Sequence, residues 1–395
     1  MSTQKPVLIA GAGISSLLLA HSLRRSGIPF KIFERDASFV FRAQGYRLRL
    51  SAEGLDAIEE VLDPDTFKRF WDKCGKTDGS KFVELDALTG EAKESRVAGR
   101  QMLESRGGKV VGIARGDMRT IFAEGCEEHI EWRKEVTGYE LTDDDGVRAI
   151  FADGTKSVEG SLLVGGEGIR SRVARQLSGG KLKVYDTGAR GIHGQAPTTA
   201  FRGLGEGVFI IRDESRPDGS CAIITNVRPG EMDDPSVKFG WTMSAQPGVI
   251  RPPNDDHTIV GKPAADVARA LTQNWHPRFR PLVDQLEEAE AAFWKITCSA
   301  PSGVPEWPNE PRVTLIGDAV HSMTPAAGLG ANTAVRDSAL LGRLLREAGG
   351  CKPGVTAAYE KEMRAYASQA VALSYATAVR QFGISIDEET TPTVF

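Results

Sequence analysis

Two glycines near the start of the chain lie between an apolar run and an apolar, helix-like segment. Val7–Ala10 is followed by Gly11-Ala12-Gly13-Ile14-Ser15-Ser16, and a leucine-rich stretch then extends to residue 26. In such a strand–turn–helix, the first glycine makes a tight turn and the second lets the backbone approach a pyrophosphate, which the helix N-terminus then faces. Ser16 occupies the position of a third glycine, which weakens close packing of the helix on the strand without preventing it.

An acidic residue ends the next predicted strand, residues 30–33. Glu34 follows Gly11 by 23 residues and can accept hydrogen bonds from ribose hydroxyls, which argues against a 2′-phosphate at this site. The turn and this carboxylate together predict dinucleotide binding through Gly11, Gly13, Ile14, Ser15 and Glu34, and neighbouring Arg35 is included among the predicted contacts. The alternative is an ordinary strand-to-helix turn with a surface glutamate.

A second glycine-rich turn lies much later in the chain. Residues 313–316 read as a buried strand, which delivers Gly317 and Asp318, a carboxylate that can accept from sugar hydroxyls. Pro325 then leads into Gly328-Leu329-Gly330-Ala331-Asn332, which is predicted to open a helix over 331–345. A helix N-terminus favours a developing negative charge, and reduced flavin carries one at N1/C2=O.

These motifs resemble the single-component FAD-dependent monooxygenases, the aromatic hydroxylases of the para-hydroxybenzoate hydroxylase type, over nearly the whole chain. The resemblance implies that Asp318 binds the flavin ribityl chain and that residues 328–332 lie at the pyrimidine edge of the isoalloxazine. Gly166-Glu167-Gly168 matches the family's Asp-Gly motif near the pyrophosphate, with glutamate in place of aspartate. Arg115 matches an arginine that packs near the flavin, and Arg42 matches one that contacts phosphate.

Some of these residues also fit a purely structural role. Asp318 could cap the turn that follows it, and Arg42 could be a solvated surface charge. His321 lies inside the late turn and is expected to be a structural hydrogen-bonding residue, so it is assigned no part in proton transfer.

The resemblance implies a reaction cycle in which NADH or NADPH reduces FAD and the reduced flavin traps O₂ as a C4a-hydroperoxide. The distal oxygen then passes to an electron-rich small molecule, an aromatic or phenolic compound or a polyketide. Because the cofactor supplies this chemistry, no catalytic side chain is assigned. The residue pattern is nearer to the tetracycline-inactivating and fungal natural-product branch, which indicates secondary metabolism. A flavin-dependent hydride-transfer reductase of the same fold and a flavoprotein that binds ligand without turnover remain as alternatives.

Strand-like runs at residues 208–212, Cys221–Val227 and 237–245 predict an antiparallel sheet that covers the flavin and contributes the substrate wall. Arg212 and Trp241 could line that pocket. A solvated arginine and a tryptophan packed in the core are the alternatives. Helices are predicted over residues 115–128 and, as one long amphipathic segment, 356–381.

The predicted fold is mixed α/β, with a Rossmann-like FAD-binding domain, an antiparallel-sheet substrate domain and a C-terminal helix. The FAD-binding domain is discontinuous and takes residues 1–75, 105–178 and 296–345. The substrate domain takes residues 76–104 and 179–295, and the C-terminal helical segment takes residues 346–395.

Composition excludes several other classes of protein. The 395 residues carry 49 basic and 53 acidic side chains, so the net charge offers nucleic acid no general attraction. The five cysteines are odd in number and widely spaced, which predicts reduced thiols in the cytoplasm and no metal site. Residues 7–20 are apolar, but they fit a strand and glycine turn better than a signal peptide and are too few to span a bilayer. A monomer and a dimer are both left open.

Overall fold

The computed structural model describes residues 4–39, 47–78, 82–93, 105–234 and 236–394, so the predicted contact Arg42 lies outside the described residues. The strands are β1 Val7–Ala10, β2 Phe30–Glu34, β3 Arg47–Leu50, β4 Gly75–Asp78, β5 Phe82–Asp86, β6 Ala92–Lys93, β7 Lys109–Ala114, β8 Ile130–Trp132, β9 Val136–Leu141, β10 Val147–Phe151, β11 Leu162–Gly165, β12 Val184–Pro197, β13 Gly207–Asp213, β14 Cys221–Val227, β15 Lys238–Ala245, β16 Ala292–Ser299 and β17 Val313–Leu315. The α-helices are α1 Ile14–Arg25, α2 Ala52–Val61, α3 Pro64–Lys73, α4 Arg115–Ala123, α5 Arg172–Leu177, α6 Lys262–Leu271, α7 Pro281–Asp284, α8 Asp318–His321, α9 Gly330–Ala348 and α10 Val355–Phe382.

A parallel sheet of five strands has the order β17-β11-β1-β2-β8. Every residue of β1 is apolar and buried, as a parallel strand covered on both faces requires. Helix α1 crosses from β1 to β2, which aligns Val7 with Phe30, and β11 lies on the other side of β1. The predicted strand–helix–strand opening is confirmed. Strands from distant parts of the chain therefore share one sheet with the early glycine turn.

A larger sheet has seven strands in the order β16-β12-β15-β14-β13-β5-β6. The predicted antiparallel pairing of β13, β14 and β15 is confirmed. In addition, β5 enters the sheet as a parallel partner of β13, which the sequence did not predict. One face of the sheet carries Phe209, Phe239 and Trp241 and packs on α6 and α7. The predicted mixed α/β fold is confirmed, whereas the domain bounds stay predictions.

A third sheet joins β3, β7 and β4 in antiparallel order, and β9 pairs with β10. Strand β7 is central, and its Gly112 lies opposite Arg49 on one side and Gly75 on the other. The missing side chain at Gly75 leaves room for Arg228 and Arg47, whose atoms would lie 2.2 Å and 2.9 Å from a Cβ there.

Two predicted helices differ in extent from the observed ones. The helix expected over residues 115–128 ends at Ala123, because Gly125 takes a φ of +71° and a 3₁₀ turn follows at Glu127–His129. The predicted C-terminal helix is confirmed as α10. Its buried residues recur every three or four positions and include Tyr359, Met363 and Ala367, so one stripe of α10 faces the core.

None of the helices in the described part of the chain is both long and apolar enough to cross a bilayer. Among the described His, Cys, Asp and Glu side chains there is no cluster of three or more that could hold a metal ion. The cysteines are free thiols, and burial raises the pKa of Cys74, Cys221 and Cys298 to about 12. These three thiols are therefore unreactive at neutral pH.

Candidate functional site

The early glycine turn is shaped by contact with a second backbone segment. Gly11 has a φ of +85°, and a Cβ built there would lie 2.7 Å from the carbonyl oxygen of Gly166. Both the positive φ and this close approach require glycine. No side chain in the described residues caps α1, whose N-cap is Gly13. The first-turn N–H groups of α1 are therefore available to an anion.

The Glu34 side chain holds the early glycine turn through hydrogen bonds from backbone N–H groups. Its carboxylate is buried and accepts hydrogen bonds from the N–H of Ala12 at 2.7 Å and of Asp36 at 2.9 Å. Arg119, on α4, contacts the same turn. Its Nε donates to the carbonyl oxygen of Ala12 at 2.9 Å, and its Nη2 lies 3.5 Å from the Glu34 carboxylate. Sequence reasoning missed Arg119. The available signal was its position one helical turn after Arg115 on α4, which places both on one face.

The late motif begins with a second strained glycine. Gly317 has a φ of +62°, and a Cβ there would lie 2.7 Å from Ser15 Oγ. Asp318 starts α8 and is exposed, yet desolvation by surrounding protein raises the pKa of its carboxyl, against the opposing charges of His321 and Arg115. Arg115 acts on this carboxylate from α4.

A polar network centred on the buried Asp337 and His321 holds the late turn. Asp337 on α9 accepts from the N–H of Gly317 at 2.7 Å, lies 2.6 Å from His321 Nε2 and accepts from the hydroxyl of Tyr366 at 2.6 Å. Burial alone lowers the pKa of His321, but the adjacent Asp337 carboxylate outweighs it and raises that pKa above its ordinary value. The expected structural role of His321 agrees with these contacts. His321 and Asp337 fix the residue that precedes Asp318.

The glycine turn before α9 is tied to β3 and α2 through one side chain. Asn332 accepts from the N–H of Ser51 at 2.8 Å and donates to the carbonyl oxygens of Gly328 at 2.8 Å and Arg49 at 3.0 Å. Its amide is therefore used to shape the turn. Pro325 is exposed, and residues 328–331 are half-buried. No side chain in the described part of the chain caps the first turn of α9, so its first N–H groups are available to an acceptor.

The Gly-Glu-Gly motif uses its carboxylate locally. Glu167 accepts from the hydroxyl of Ser171 at 2.8 Å and from the N–H of Val173 at 3.1 Å, so it stabilises the start of α5. Desolvation raises its pKa. Arg35 is exposed and lies 3.8 Å from the Asp36 carboxylate. The structure therefore gives Glu167 and Arg35 local partners, and their predicted cofactor contacts stay predictions.

Helix α1 packs closely on α9. The hydroxyl of Ser338 donates to the carbonyl oxygen of Ser15 at 2.7 Å, and a Cβ at Gly342 would lie 2.2 Å from Ser22 Oγ. The N-terminus of α1 therefore lies beside the body of α9, about 12 Å along that helix from its own N-terminus. Gly317, which precedes Asp318, lies between the two helices, because a Cβ there would be 2.7 Å from Ser15 Oγ and 3.6 Å from Ala334 Cβ. Uncapped amides suit a pyrophosphate and an electron-rich ring edge, and carboxylates suit sugar hydroxyls. This donor and acceptor set fits a flavin dinucleotide.

The two predicted substrate residues lie on opposite faces of the seven-stranded sheet. Trp241 is buried in the core against α7, where its Nε1 donates to the carbonyl oxygen of Leu282 at 2.8 Å; this is the packing alternative left open by the sequence. Arg212 lies on the other face and donates from Nε to the buried Glu84 at 2.7 Å. Glu84, which lies on β5, therefore neutralises the charge of Arg212.

Comparisons with known proteins identify the family of this chain. A family model described as FAD binding domain matches residues 4–374. The dual O-methyltransferase/FAD-dependent monooxygenase elcB of Phaeosphaeria nodorum is 31% identical over 379 residues, which cover 86% of this chain and 40% of that protein. The FAD-dependent monooxygenase thnD of Trichoderma harzianum is 28% identical over 354 residues, which cover 86% of this chain and 82% of that protein.

The chain spans only 40% to 46% of the length of its dual-function relatives. Among solved structures, HpxO of Klebsiella pneumoniae, complexed with FAD and uric acid, aligns with a TM-score of 0.72 over 96% of this chain and 88% of that chain. At 20% sequence identity this similarity establishes a shared fold. The family resemblance inferred from the sequence is confirmed.

Proposed function

This chain belongs to the FAD-binding-domain family, and on that premise we propose that it is an FAD-dependent monooxygenase. The reaction inserts one oxygen atom from O₂ into an aromatic or polyketide-like small molecule and consumes NADH or NADPH. The observation that carries the proposal is the pair of uncapped helix N-termini, from α1 and α9, on two helices that pack together, with the Gly317–Asp318 turn between them. The names of elcB and thnD support the same reaction class.

Each part of the dinucleotide has a matching group in the chain. The first-turn N–H groups of α1, at Gly13, Ile14 and Ser15, suit the pyrophosphate, and Glu34 lies at the end of β2 for the adenosine ribose. Asp318 would accept from the ribityl hydroxyls. The N–H groups that open α9 would face the pyrimidine edge, where negative charge develops on reduction.

When bound, FAD supplies the redox chemistry: it takes electrons from NADH or NADPH and activates O₂ at its C4a position. The protein's own residues bind, orient and shield. Arg119 and Glu34 keep the pyrophosphate turn in shape, and Asp337 with His321 keeps Asp318 in place.

The substrate would lie against the face of the seven-stranded sheet that turns away from α6 and α7. Arg212 lies on this face but is buried and paired with Glu84, so it is not the solvated arginine of the alternative, and its contact with substrate stays a prediction. A cytoplasmic location and a monomeric or dimeric state stay predictions from composition.

The first test is the flavin content of Asp318→Ala, with Asp266→Ala as a matched control. Asp266 is an exposed aspartate that pairs with Lys262 on α6. We expect the control to purify with the same visible flavin absorbance as the wild type and Asp318→Ala to lose most of it. Full retention of flavin by Asp318→Ala would contradict the ribityl assignment.

The second test is the oxygen dependence of the reaction. We expect NADH or NADPH oxidation by the FAD-loaded protein to require O₂ and to yield products that gain one oxygen atom from a phenolic and polyketide library. If a library compound instead gains hydride under anaerobic conditions, the protein is a reductase and the proposal fails.

A further inference from the structure

One side of helix α10 is apolar although it lies at the surface of the protein. Residues 365–379 of this helix include no charged side chain, and Leu373 and Val379 are 42% and 39% exposed. The exposed residues of the stretch, called the outer face below, are Ala365, Gln369, Ala372, Leu373, Ala376 and Val379. A helix that meets water on one side normally carries charged residues there, so the outer face has the composition of a buried surface.

The outer face is one continuous strip along the helix. Its residues from Ala365 to Val379 follow one another at intervals of three or four positions, which keeps them on the same side of an α-helix over a length of about 21 Å. The alanines in the strip have no bulky side chain, so another helix can approach it closely.

The opposite side of α10 is fixed to the rest of the protein. The hydroxyl of Ser374 donates to the carbonyl oxygen of Thr324 at 2.9 Å, and the hydroxyl of Tyr366 donates to Asp337 at 2.6 Å. These contacts hold the helix in place, so a partner that docks on the outer face loses little free energy in ordering it. A partner there would also lie on the helix that supports the late turn.

Charged residues of opposite sign lie at the two ends of the outer face. Glu362 precedes it and Arg380 follows it, and both are exposed. Arg380 Nη2 approaches Thr377 Oγ1 at 3.4 Å, and neither charged residue forms an ion pair within the described part of the chain. The two residues are 18 positions apart, which is about five full turns, so they lie on the same edge of the outer face.

This distribution of charge is complementary to itself when two such helices run antiparallel. If they cross level with Val371, midway between Glu362 and Arg380, each glutamate lies level with the arginine of the other copy. The two-fold symmetry of a dimer of identical chains makes this contact twice. A parallel pair would instead bring the two glutamates to one level and the two arginines to another, where like charges repel.

The same charges favour one crossing angle. Glu362 and Arg380 each lie about 14 Å along the helix from Val371. At a crossing angle of about 20°, the two helix axes are displaced sideways by about 5 Å at that distance, whereas at about 50° they are displaced by about 11 Å. A glutamate and an arginine can bridge the smaller displacement but not the larger one. The shallow angle therefore allows both ion pairs to form.

We propose that the outer face of α10 binds a second copy of this chain, with the two α10 helices antiparallel and crossing at a shallow angle. The interface does not depend on the reaction that the protein catalyses. One helix pair buries less than the about 800 Å² per partner of a standard interface, so we expect a dissociation constant on the order of 10 µM.

Sedimentation velocity of the full chain, as purified, at about 1 to 100 µM tests the proposal. We expect monomer at the low end of this range and mostly dimer at the high end. Ala372→Glu and Leu373→Glu each place two carboxylates near the two-fold axis, and each should weaken association by at least about 30-fold. The matched control is Ala357→Glu, at an exposed alanine of the same helix about 21 Å from Val371, and it should leave association unchanged. A wild-type protein that stays monomeric, or a dimer that both glutamate variants leave intact, would overturn the proposal.

Charge reversal tests the antiparallel orientation. Glu362→Arg alone and Arg380→Glu alone each bring like charges together at both ends of the interface, so each should weaken association by about 10-fold. The double variant restores both ion pairs with their signs exchanged, and its dissociation constant should return to within about threefold of the wild-type value. Failure of the double variant to recover would refute the antiparallel pairing.

Two further measurements identify what the outer face binds. Urea unfolding of each variant at low concentration, where the wild type is monomeric, should match the wild type, because the substituted residues are exposed. A change in sedimentation then reports the interface and not the fold. If the wild type stays monomeric and binds phosphatidylcholine vesicles, and Leu373→Glu abolishes that binding, the outer face binds a membrane and the proposal of a second copy is wrong.

Discussion

Replacement of Asp337 by asparagine removes the charge at the centre of the network behind the late turn. The carboxylate of Asp337 contacts His321, Gly317 and Tyr366 at 2.6 to 2.7 Å, and Asp337 is fully buried. Asparagine has nearly the same size but offers one carbonyl acceptor and carries no charge. The buried imidazole of His321 then loses the partner that favours its protonated form.

The expected cost follows from the environment of the pair. Breaking a buried ion pair by removal of one partner costs about 3–5 kcal/mol. Because asparagine can still accept one hydrogen bond from Gly317 or Tyr366, we expect the lower end, about 3 kcal/mol, near pH 6. The Asp318 turn should loosen as well, so FAD affinity falls together with the free energy of unfolding.

The pH dependence distinguishes this explanation from simple loss of packing. The pKa of His321 in the folded protein is raised above 6.5, so the stabilisation is complete below that value and is lost as pH rises through the folded-state pKa. In Asp337→Asn, burial dominates and the pKa of His321 falls below its unfolded value. The stability difference between the two proteins should therefore shrink by up to about 1.4 kcal/mol per pH unit above about 6.5.

Urea unfolding in excess FAD, at about pH 6 and about pH 8, measures this difference. Asp266→Asn, at an exposed i,i+4 pair with Lys262, is the control and should show a small difference that is the same at both pH values. A large difference for Asp337→Asn that does not change with pH would refute the ion-pair reasoning, since packing alone is indifferent to protonation of His321.

Two further substitutions test the early turn and the sheet core. Gly11→Ala should purify with little FAD and lose about 1–3 kcal/mol of stability, because alanine there is strained at positive φ and its Cβ would lie 2.7 Å from the Gly166 carbonyl oxygen. Flavin absorbance and urea unfolding measure the two effects. A variant that keeps its flavin and its full stability would contradict this prediction. Trp241→Phe should lose about 1 kcal/mol, through the hydrogen bond to Leu282, with FAD content unchanged; a drop in flavin content would show that Trp241 reaches the cofactor site after all.

The sequence alone determined the local parts of the site. The strand, glycine turn and helix at Val7–Ala10, Gly11 and α1 follow from apolar runs and glycine spacing within a few residues. Alternation in β13 also separated Arg212 from the core-facing side chains of its own strand. These features are predictable because a backbone conformation or a strand face depends mainly on neighbouring residues.

Only the tertiary structure decided which distant groups meet. Nothing in the local pattern indicates that β5 brings Glu84 to Arg212, or that Asn332 accepts from the N–H of Ser51. The choice of partner for a buried charge depends on how sheets and helices pack, and packing joins residues with no regular spacing in the chain. The spacing of glycines thus predicted two anion-binding turns, whereas only the packing of α1 on α9 placed them on neighbouring helices.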